Sequence, residues 1–371
     1  TVTPKGERAL LGGHPWVYGE EVLSWDRPPE DGELADVVSQ GGKYLGTGFV
    51  NLTSKIRVRV LSRNANDRFD EAFWERRLRY ALDYRKAVMG DQYGCCRLIF
   101  GEADSFPGLT VDRFGEILVA QTLSLGMEKR KSLLFPLLCR LLREEGEDIR
   151  GVYERNDVAI RRLEGMEEGK GFFPIPGLPE PDSTRTVITE NGVRYHVDFE
   201  NGQKTGFFLD QKLNRQAVAR LSRGRRVLDC FTHTGSFALN AARGGALSVT
   251  AVDVSAAAVE MVRENAALNG LSQTVTPMEA DIFDLLPALE AAPGKAPYDF
   301  IILDPPAFTK SRKTAENAMR GYKEINYRAM KLLPRGGYLA TCSCSHFATE
   351  EMFRKMLRSA ARDAAVELRQ V

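Results

Sequence analysis

Long apolar runs are missing from this sequence of 371 residues: none approaches the roughly 18 to 20 needed to span a bilayer. The opening stretch, TVTPKGERALLGGHPWVYGEEV, lacks the charged-then-apolar order of a secretory signal. These absences argue against a membrane partner and lead to the expectation of a cytoplasmic protein. Cysteine is scarce, at six residues (Cys95, Cys96, Cys139, Cys230, Cys342 and Cys344), spaced too irregularly for a disulfide framework. The four histidines, His14, His196, His233 and His346, are scattered. No two cysteines have two to four residues between them, so no metal is expected. Net charge is also nearly absent, at +1. A polyanion would have to be gripped by local basic patches rather than by the field of the whole molecule.

What is present is an ordinary globular composition, 43% hydrophobic and 27% charged, in a chain long enough for two or three domains. From about Gly32 to Ser62 the stretches ELADVVS, YLGTGFVN and SKIRVRVLS read as short strands with glycine turns between them. The last alternates, with Ile56, Val58 and Val60 on one face and Arg57 and Arg59 on the other. Between Lys43 and Arg63 stand five basic residues, Lys43, Lys55, Arg57, Arg59 and Arg63, and no acidic one. That pattern fits either a solvated outer face or a phosphate-facing surface.

A charged helix is expected from about Asp67 to Met89, with Phe69, Phe73, Tyr80 and Tyr84 near one side. Strands broken by a Phe106-Pro107-Gly108 turn follow. A second helix, MEKRKSLLFPLLCRLLREEG, is expected to bend or restart around Pro136. IRGVYERND resumes β character, and GFFPIPGLPEPDS reads as a connector. A central α+β domain over residues 69–183 fits this order, between a β-rich domain over 1–68 and the remainder, 184–371.

The last half changes grammar. A hairpin turning at Asn191-Gly192 precedes alternating apolar strands and helices: RRVLDCF, a helix from Ser236, LSVTAVDVS, a helix from Ala256 to Asn269, YDFIILDPP, a long helical stretch and GGYLATCSCS. Such alternation implies a doubly wound parallel sheet that binds ligands beyond the carboxyl ends of its strands. VLDCFTHTGSF ends one strand in Asp229 and turns through Thr232, Thr234 and Gly235 into a helix, whose first amides are unpaired. There is no G-x-x-x-x-G-K-[ST] phosphate loop and only one glycine of a G-x-G-x-x-G. The next strand ends in Asp253, where a carboxylate can accept both hydroxyls of a ribose. Asp281 ends the third, where its side chain or the following amide can meet an adenine amine. Each acid alone reads as a strand-end or cap residue; the three in order, followed by Asp304-Pro305-Pro306, read as a nucleotide-like cofactor site.

This pattern resembles a class I S-adenosylmethionine-dependent methyltransferase with a Rossmann-like catalytic domain. QKTGFFLDQKLNR, GHPWVYGEEV, FPGLTVDRFG, DPPAFTKSRKT and the C-x-C stretch are similar to the PUA-containing 23S rRNA cytosine-C5 methyltransferases. The resemblance covers nearly the whole chain. It implies a multidomain α/β protein: an N-terminal PUA domain, a central α+β domain and a C-terminal catalytic domain. It further implies that Phe207, Asp210, Gln211 and Arg215 line the entrance for S-adenosylmethionine, and that Asp229, Phe231, Thr232, Thr234 and Gly235 hold its amino-acid moiety. Asp253 and Val254 would meet the ribose and adenine edge, and Asp281 with Ile282 the adenine. Asp304 and Pro305 would stand where cofactor and target base meet. The implied partner is 23S rRNA; a homodimer is allowed but not required.

C5 of cytosine is too weak a nucleophile to attack a sulfonium methyl, and a thiolate adding to C6 makes it enamine-like. A free thiol ionises near pH ~8.5, so the site must favour the thiolate or deprotonate it on attack. Asp304 would hydrogen-bond the N3/N4 edge and stabilise the charge that develops there. Read as strand residues, Cys342 and Cys344 share a face. By the resemblance, the nucleophile falls seven residues after Gly337, at Cys344. The better-known cytosine-C5 enzymes carry a second cysteine where Ala307 stands here, so Cys342 is expected to take part in proton removal or product release. Lys310, Arg312 and Lys313 would grip the RNA backbone, and Phe308 and Tyr322 fit either base stacking or core packing. Two other readings stand beside this one. One is an rRNA guanine-N7 or exocyclic-amine methyltransferase, which needs no thiol; the other is a non-catalytic RNA-binding or ribosome-assembly module.

Overall fold

The computed structural model describes residues 1–294, 297–308, 315–345 and 347–371; Lys310, Arg312, Lys313 and His346 lie outside the described residues. The chain divides into two compact units, Thr1–Thr189 with Val197–Leu209, and Glu190–His196 with Asp210–Val371. Among the described residues no helix is long and apolar enough to cross a membrane.

The first unit begins with helix α1 (Pro4–Leu11), where the Thr3 hydroxyl accepts from the Gly6 amide at 3.2 Å and Pro4 opens the first turn. Strands β1 (Trp16–Tyr18), β2 (Leu34–Val38), β3 (Tyr44–Val50) and β4 (Ile56–Ser62) form an antiparallel sheet in the order β1-β4-β3-β2. Val58 and Val60 of β4 are buried with Val17, Val37 and Leu45, as the alternation requires.

Helix α2 (Glu71–Met89) is capped by Asp70, whose carboxylate accepts from the Phe73 amide at 3.0 Å. Its buried face is Phe73, Trp74, Leu78, Ala81, Leu82 and Arg85. Tyr80 and Tyr84 are 62% and 57% exposed, which corrects the aromatic side read from sequence: spacing alone does not say which of two amphipathic stripes faces inward. A second sheet holds β5 (Cys95–Phe100), β6 (Leu109–Phe114), β7 (Ile117–Thr122), β8 (Gly151–Arg155) and β9 (Lys170–Phe173), in sequence order. Only β7 and β8 pair in parallel. The crossover between them contains α3 (Leu125–Glu128) and α4 (Lys131–Glu144). The break falls at Lys129-Arg130, not at Pro136, which sits inside α4. Pro136 gives the Ser132 carbonyl no amide partner, but buried Leu134, Phe135, Leu137, Leu138, Leu141 and Leu142 hold the helix through it. The supposed connector also starts as a strand, since β9 takes in Gly171, Phe172 and Phe173.

The hairpin β10 (Arg185–Glu190) and β11 (Val193–Asp198) turns at Asn191 and Gly192, both at positive φ, 55° and 74°, as a two-residue hairpin turn demands. In the second unit, α5 (Lys212–Leu221) leads into β12 (Arg226–Cys230), α6 (Ser236–Arg243), β13 (Ser248–Asp253), α7 (Ala256–Leu268), β14 (Val275–Glu279), α8 (Ile282–Ala291), β15 (Phe300–Leu303), α9 (Ala315–Leu332), β16 (Tyr338–Thr341) and α10 (Glu350–Asp363). The five strands β12 to β16 pair in parallel, in the order β14-β13-β12-β15-β16. The order reverses beside β12, so a crevice opens beyond its carboxyl end.

Truncating the inward stripe of α2 is expected to cost far more than truncating the outward one. Leu78→Ala should destabilise by about 2–5 kcal/mol, and Tyr84→Ala by less than about 1 kcal/mol, read from urea midpoints; equal losses would refute this facing of the helix.

Candidate active site

The carboxyl end of β12 carries Asp229, fully buried. Its Oδ2 accepts from the Thr232 hydroxyl at 2.6 Å and the Ala238 amide at 2.9 Å. Among the described residues Oδ1 has no hydrogen-bond partner, nor has the buried hydroxyl of Thr234. The loop between β12 and α6 places Phe231, His233 and Gly235 at φ of 62°, 52° and 84°. Two non-glycine residues in the left-handed region cost roughly 1–3 kcal/mol each. The loop is held by the Thr232 amide on the Val252 carbonyl at 2.8 Å and the His233 amide on Asp253 Oδ2 at 2.9 Å. At Gly235 a Cβ would approach the Val262 methyls to 3.2 Å, so the turn has little room for a side chain.

Asp253, at the end of β13, accepts from His233 with one oxygen and from the Ser255 amide at 3.0 Å with the other. Each oxygen keeps a lone pair for a ligand. Val254 beside it is 70% exposed. Asp281 is the N-cap of α8, accepting from the Phe283 amide at 2.8 Å. Ile282 is buried in the core behind it, so only its main chain is available to a ligand. Phe283, which the sequence reading missed, is 42% exposed next to that cap.

Asp304 follows β15, with Pro305 buried after it. Gln211 Nε2 donates to both Asp304 oxygens, at 3.3 Å each. Arg215, on α5, is buried and paired with Glu190 at 2.7 Å. Asp210 is exposed. Phe207 is buried, but in the first unit.

The cysteines require a correction. Strand β16 ends at Thr341, so both thiols lie beyond it rather than within it. The ladder extends one step further, through the Cys342 amide on the Leu303 carbonyl at 2.8 Å. Cys344 is exposed, and its Sγ donates to the Pro305 carbonyl at 3.5 Å. The segment is pinned through Tyr322, whose hydroxyl meets Ser345 Oγ at 2.9 Å and Ser343 Oγ at 3.2 Å. Tyr322 is wholly buried, against Phe308 at 4.6 Å and Phe353 at 5.7 Å between ring centres. It is therefore a core residue and not a stacking platform.

Charges of one sign converge here. Burial, then the Asp304 and Asp253 carboxylates, push Asp229 up to about 7 against the hydrogen bonds that favour its ionised form. Burial and nearby Asp210 bring Asp304 to about 6, against Arg215 and Gln211. Burial, then Asp304, push the Cys342 thiol up to about 12, with Gln211 opposing. Burial pulls His233 down, with Arg215, against Asp253. A ligand carrying positive charge relieves this crowding. S-adenosylmethionine, with its sulfonium and ammonium, fits the buried free oxygen of Asp229 and the hydroxyl of Thr234. A ribose would find the remaining lone pairs of Asp253.

The basic residues of the first unit separate into two groups. Lys43, Lys55 and Arg63 are exposed, although one Arg63 nitrogen donates to the carbonyls of His14 at 3.1 Å and Leu10 at 3.4 Å. Arg59 is turned inward, bonded to Glu164 at 2.8 Å and Glu102 at 3.2 Å, with Trp16 under its guanidinium at 5.4 Å. Arg57 donates to the carbonyls of Asn51 and Leu52. The structure thus takes Arg59 out of the free cationic face expected from sequence. Among the described residues no cluster of three or more metal-binding side chains occurs.

Residues 178–368 match the family model described as S-adenosylmethionine-dependent methyltransferase, and residues 1–63 the model of a PUA-like domain. The chain is 40% identical over 360 residues to ribosomal RNA large subunit methyltransferase I of Aeromonas salmonicida, covering 96% of this chain and 88% of the relative. It is 39% identical over 367 residues to the protein of that name from Klebsiella pneumoniae, covering 98% and 89%. A solved SAM-dependent methyltransferase from Streptococcus mutans superimposes with a TM-score of 0.75 at 21% identity, over 97% of this chain and 89% of that one. A methyltransferase solved in complex with SAH gives 0.77 at 21% identity, over the same 97% and 89%. These two likenesses speak for the fold.

The raised pKa of Asp229 has a thermodynamic consequence. An unfolded aspartate titrates near ~3.9, below the folded value of about 7. Its contribution is therefore fully present below the unfolded value and is lost as pH rises through the folded one. The protein should show a urea midpoint that falls from about pH 4 to 7 and then levels off, and Asp229→Asn a shallower fall. Parallel slopes would show that Asp229 does not titrate in this range.

Proposed function

The chain belongs to the S-adenosylmethionine-dependent methyltransferase family, and from that premise we propose that it methylates C5 of a cytosine in 23S rRNA. The observation that carries this reading is the exposed Cys344 thiol beside the Asp304-Pro305 loop, at the edge where the cofactor carboxylates converge. The names of its relatives support large-subunit ribosomal RNA as the substrate.

When bound, S-adenosylmethionine supplies an electrophilic methyl group. Asp229, Phe231, Thr232, Thr234 and Gly235 hold its amino-acid end, Asp253 and Val254 the ribose side, and Asp281 with the Ile282 main chain the adenine. Cys344 adds as a thiolate to C6 of the flipped cytosine, and the electron pair of the C5–C6 double bond shifts towards C5 and the N3 edge. Asp304 carries a proton in part of its population near neutral pH, because its pKa is about 6. Protonated, it donates to N3 with one oxygen and accepts from the N4 amine with the other. After C5 is methylated, solvent water takes the C5 proton, its electron pair re-forms the C5–C6 double bond, and the C6–S bond breaks to release the product and the Cys344 thiolate. Cys342, held as a neutral thiol, is suited to give a proton to the departing sulfur rather than to take one.

Residues 1–68 are proposed as the RNA-contact domain, 69–183 as a central domain and 184–371 as the catalytic domain. Lys43, Lys55 and Arg63 are the candidate phosphate contacts of residues 1–68, with Arg57 and Arg63 partly committed to main-chain carbonyls. The three basic residues proposed near Asp304 lie outside the described residues.

Incubation with S-adenosylmethionine and rRNA, followed by nucleoside mass spectrometry, is expected to yield 5-methylcytidine; 7-methylguanosine in its place would overturn the reaction. With 5-fluorocytidine at the target, a covalent protein–RNA adduct should form in wild type and Cys342→Ser and vanish in Cys344→Ser. The reverse pattern would exchange the roles of the thiols. On natural RNA, Cys342→Ala should accumulate adduct, and release at the wild-type rate would remove Cys342 from the mechanism.

A further inference from the structure

The sequence places Gln211 at the cofactor entrance, yet its side chain is engaged elsewhere. Asn214 Nδ2 donates to Gln211 Oε1 at 2.6 Å. With its oxygen accepting from Asn214, the Gln211 amide turns Nε2 towards Asp304. There it stands 3.3 Å from both carboxyl oxygens. We propose that Asn214 and Gln211 form a positioning relay that grips the Asp304 carboxyl group from one side and leaves its other side to the target base.

A donor equidistant from the two oxygens does not choose which of them carries a proton. It fixes the plane of the group while leaving either oxygen able to donate to N3 and the other to accept from N4. The same amide favours the ionised form of Cys342, so one side chain is coupled to both groups of the reacting edge. The charged groups that act on Asp304 are Arg215 and Asp210 near the start of α5, and Asp304 in turn raises Asp229 in β12 and Cys342 after β16. Gln211 and Arg215 oppose the effect of burial. Removing Gln211 therefore lets the Asp304 carboxyl hold its proton to higher pH. This inference rests on the role given to Asp304 above, and its test separates the two.

The experiment follows the carboxyl titration of Asp304 in the unliganded enzyme by carbon-13 NMR, assigned with Asp304→Asn, in wild type, Gln211→Ala and Asn214→Ala. Both relay variants are expected to shift the titration upward, Gln211→Ala the more. In steady-state assays kcat should fall on the order of tenfold in Gln211→Ala, one charge-assisted hydrogen bond being lost, with the KM for S-adenosylmethionine unchanged. The alkaline fall of the rate profile should move to higher pH with the carboxyl titration. An unmoved titration together with a raised cofactor KM would overturn the proposal and return Gln211 to the cofactor entrance. If Gln211→Ala does not fold, Asn214→Ala carries the test, since it frees the amide without deleting it. Formation of a nucleoside other than 5-methylcytidine would refute the reaction, whereas the NMR titration reads the relay whatever the product.

Discussion

A single buried carboxylate, that of Asp229, sets the terms for the catalytic unit. It stands at the end of the central strand β12, with one oxygen spent on Thr232 and the start of α6. The other oxygen lies away from solvent among further acids. Burying such a group is costly unless something pairs with it. The left-handed turns at Phe231 and His233, the amide of His233 on Asp253 and the tight packing at Gly235 all bring main chain around this point. The parallel sheet then adds Asp253 and Asp304 from the strands on either side. The architecture concentrates carboxylates at one edge of the sheet, the place that the proposal gives to the positive charge of the cofactor.

Protonation is the way this arrangement limits that cost. Asp229 at about 7 and Asp304 at about 6 share the burden of being close together. Asp304 thereby keeps a proton on part of its population up to about pH 6, which is what the proposed chemistry would draw on. Cys342 is drawn into the same field and stays a thiol, with its value near 12, while Cys344 stands at the surface. Two cysteines of identical chemistry are thus differentiated by position alone.

The sequence was most legible where a local rule and the fold agreed. Alternating strands and helices with acids at the strand ends predicted the five-stranded parallel sheet, and Asn191-Gly192 predicted the hairpin. The strands of the first domain were readable from their glycine turns. It was least legible where a long-range contact decides. Whether Tyr80 and Tyr84 or Leu78 and Leu82 face inward depends on the sheet beneath α2, and Pro136 fails to break α4 because seven buried residues outweigh it. Arg59 looked like part of a free basic face because Glu102 and Glu164, its partners, are 43 and 105 residues away in the chain. The motif put Gln211 at the cofactor entrance, but its bond to Asp304 spans 93 residues and no local pattern announces it. The cap at Asp281 was the plainer of two readings and is what the side chain does, leaving ligand contact to its remaining lone pairs.

The step from β16 into the loop after it separates the two sulfurs mechanically. The amide of Cys342 continues the ladder of β15, so its position is inherited from the stiffest part of the sheet. Two residues on, Cys344 has left the ladder and is located through its neighbours Ser343 and Ser345, both moored to the buried Tyr322 hydroxyl. One sulfur is thus referenced to the sheet and the other to α9. A displacement of that helix against the sheet would change the spacing between the thiols without altering either side chain, making their separation a gauge of how the two layers are seated.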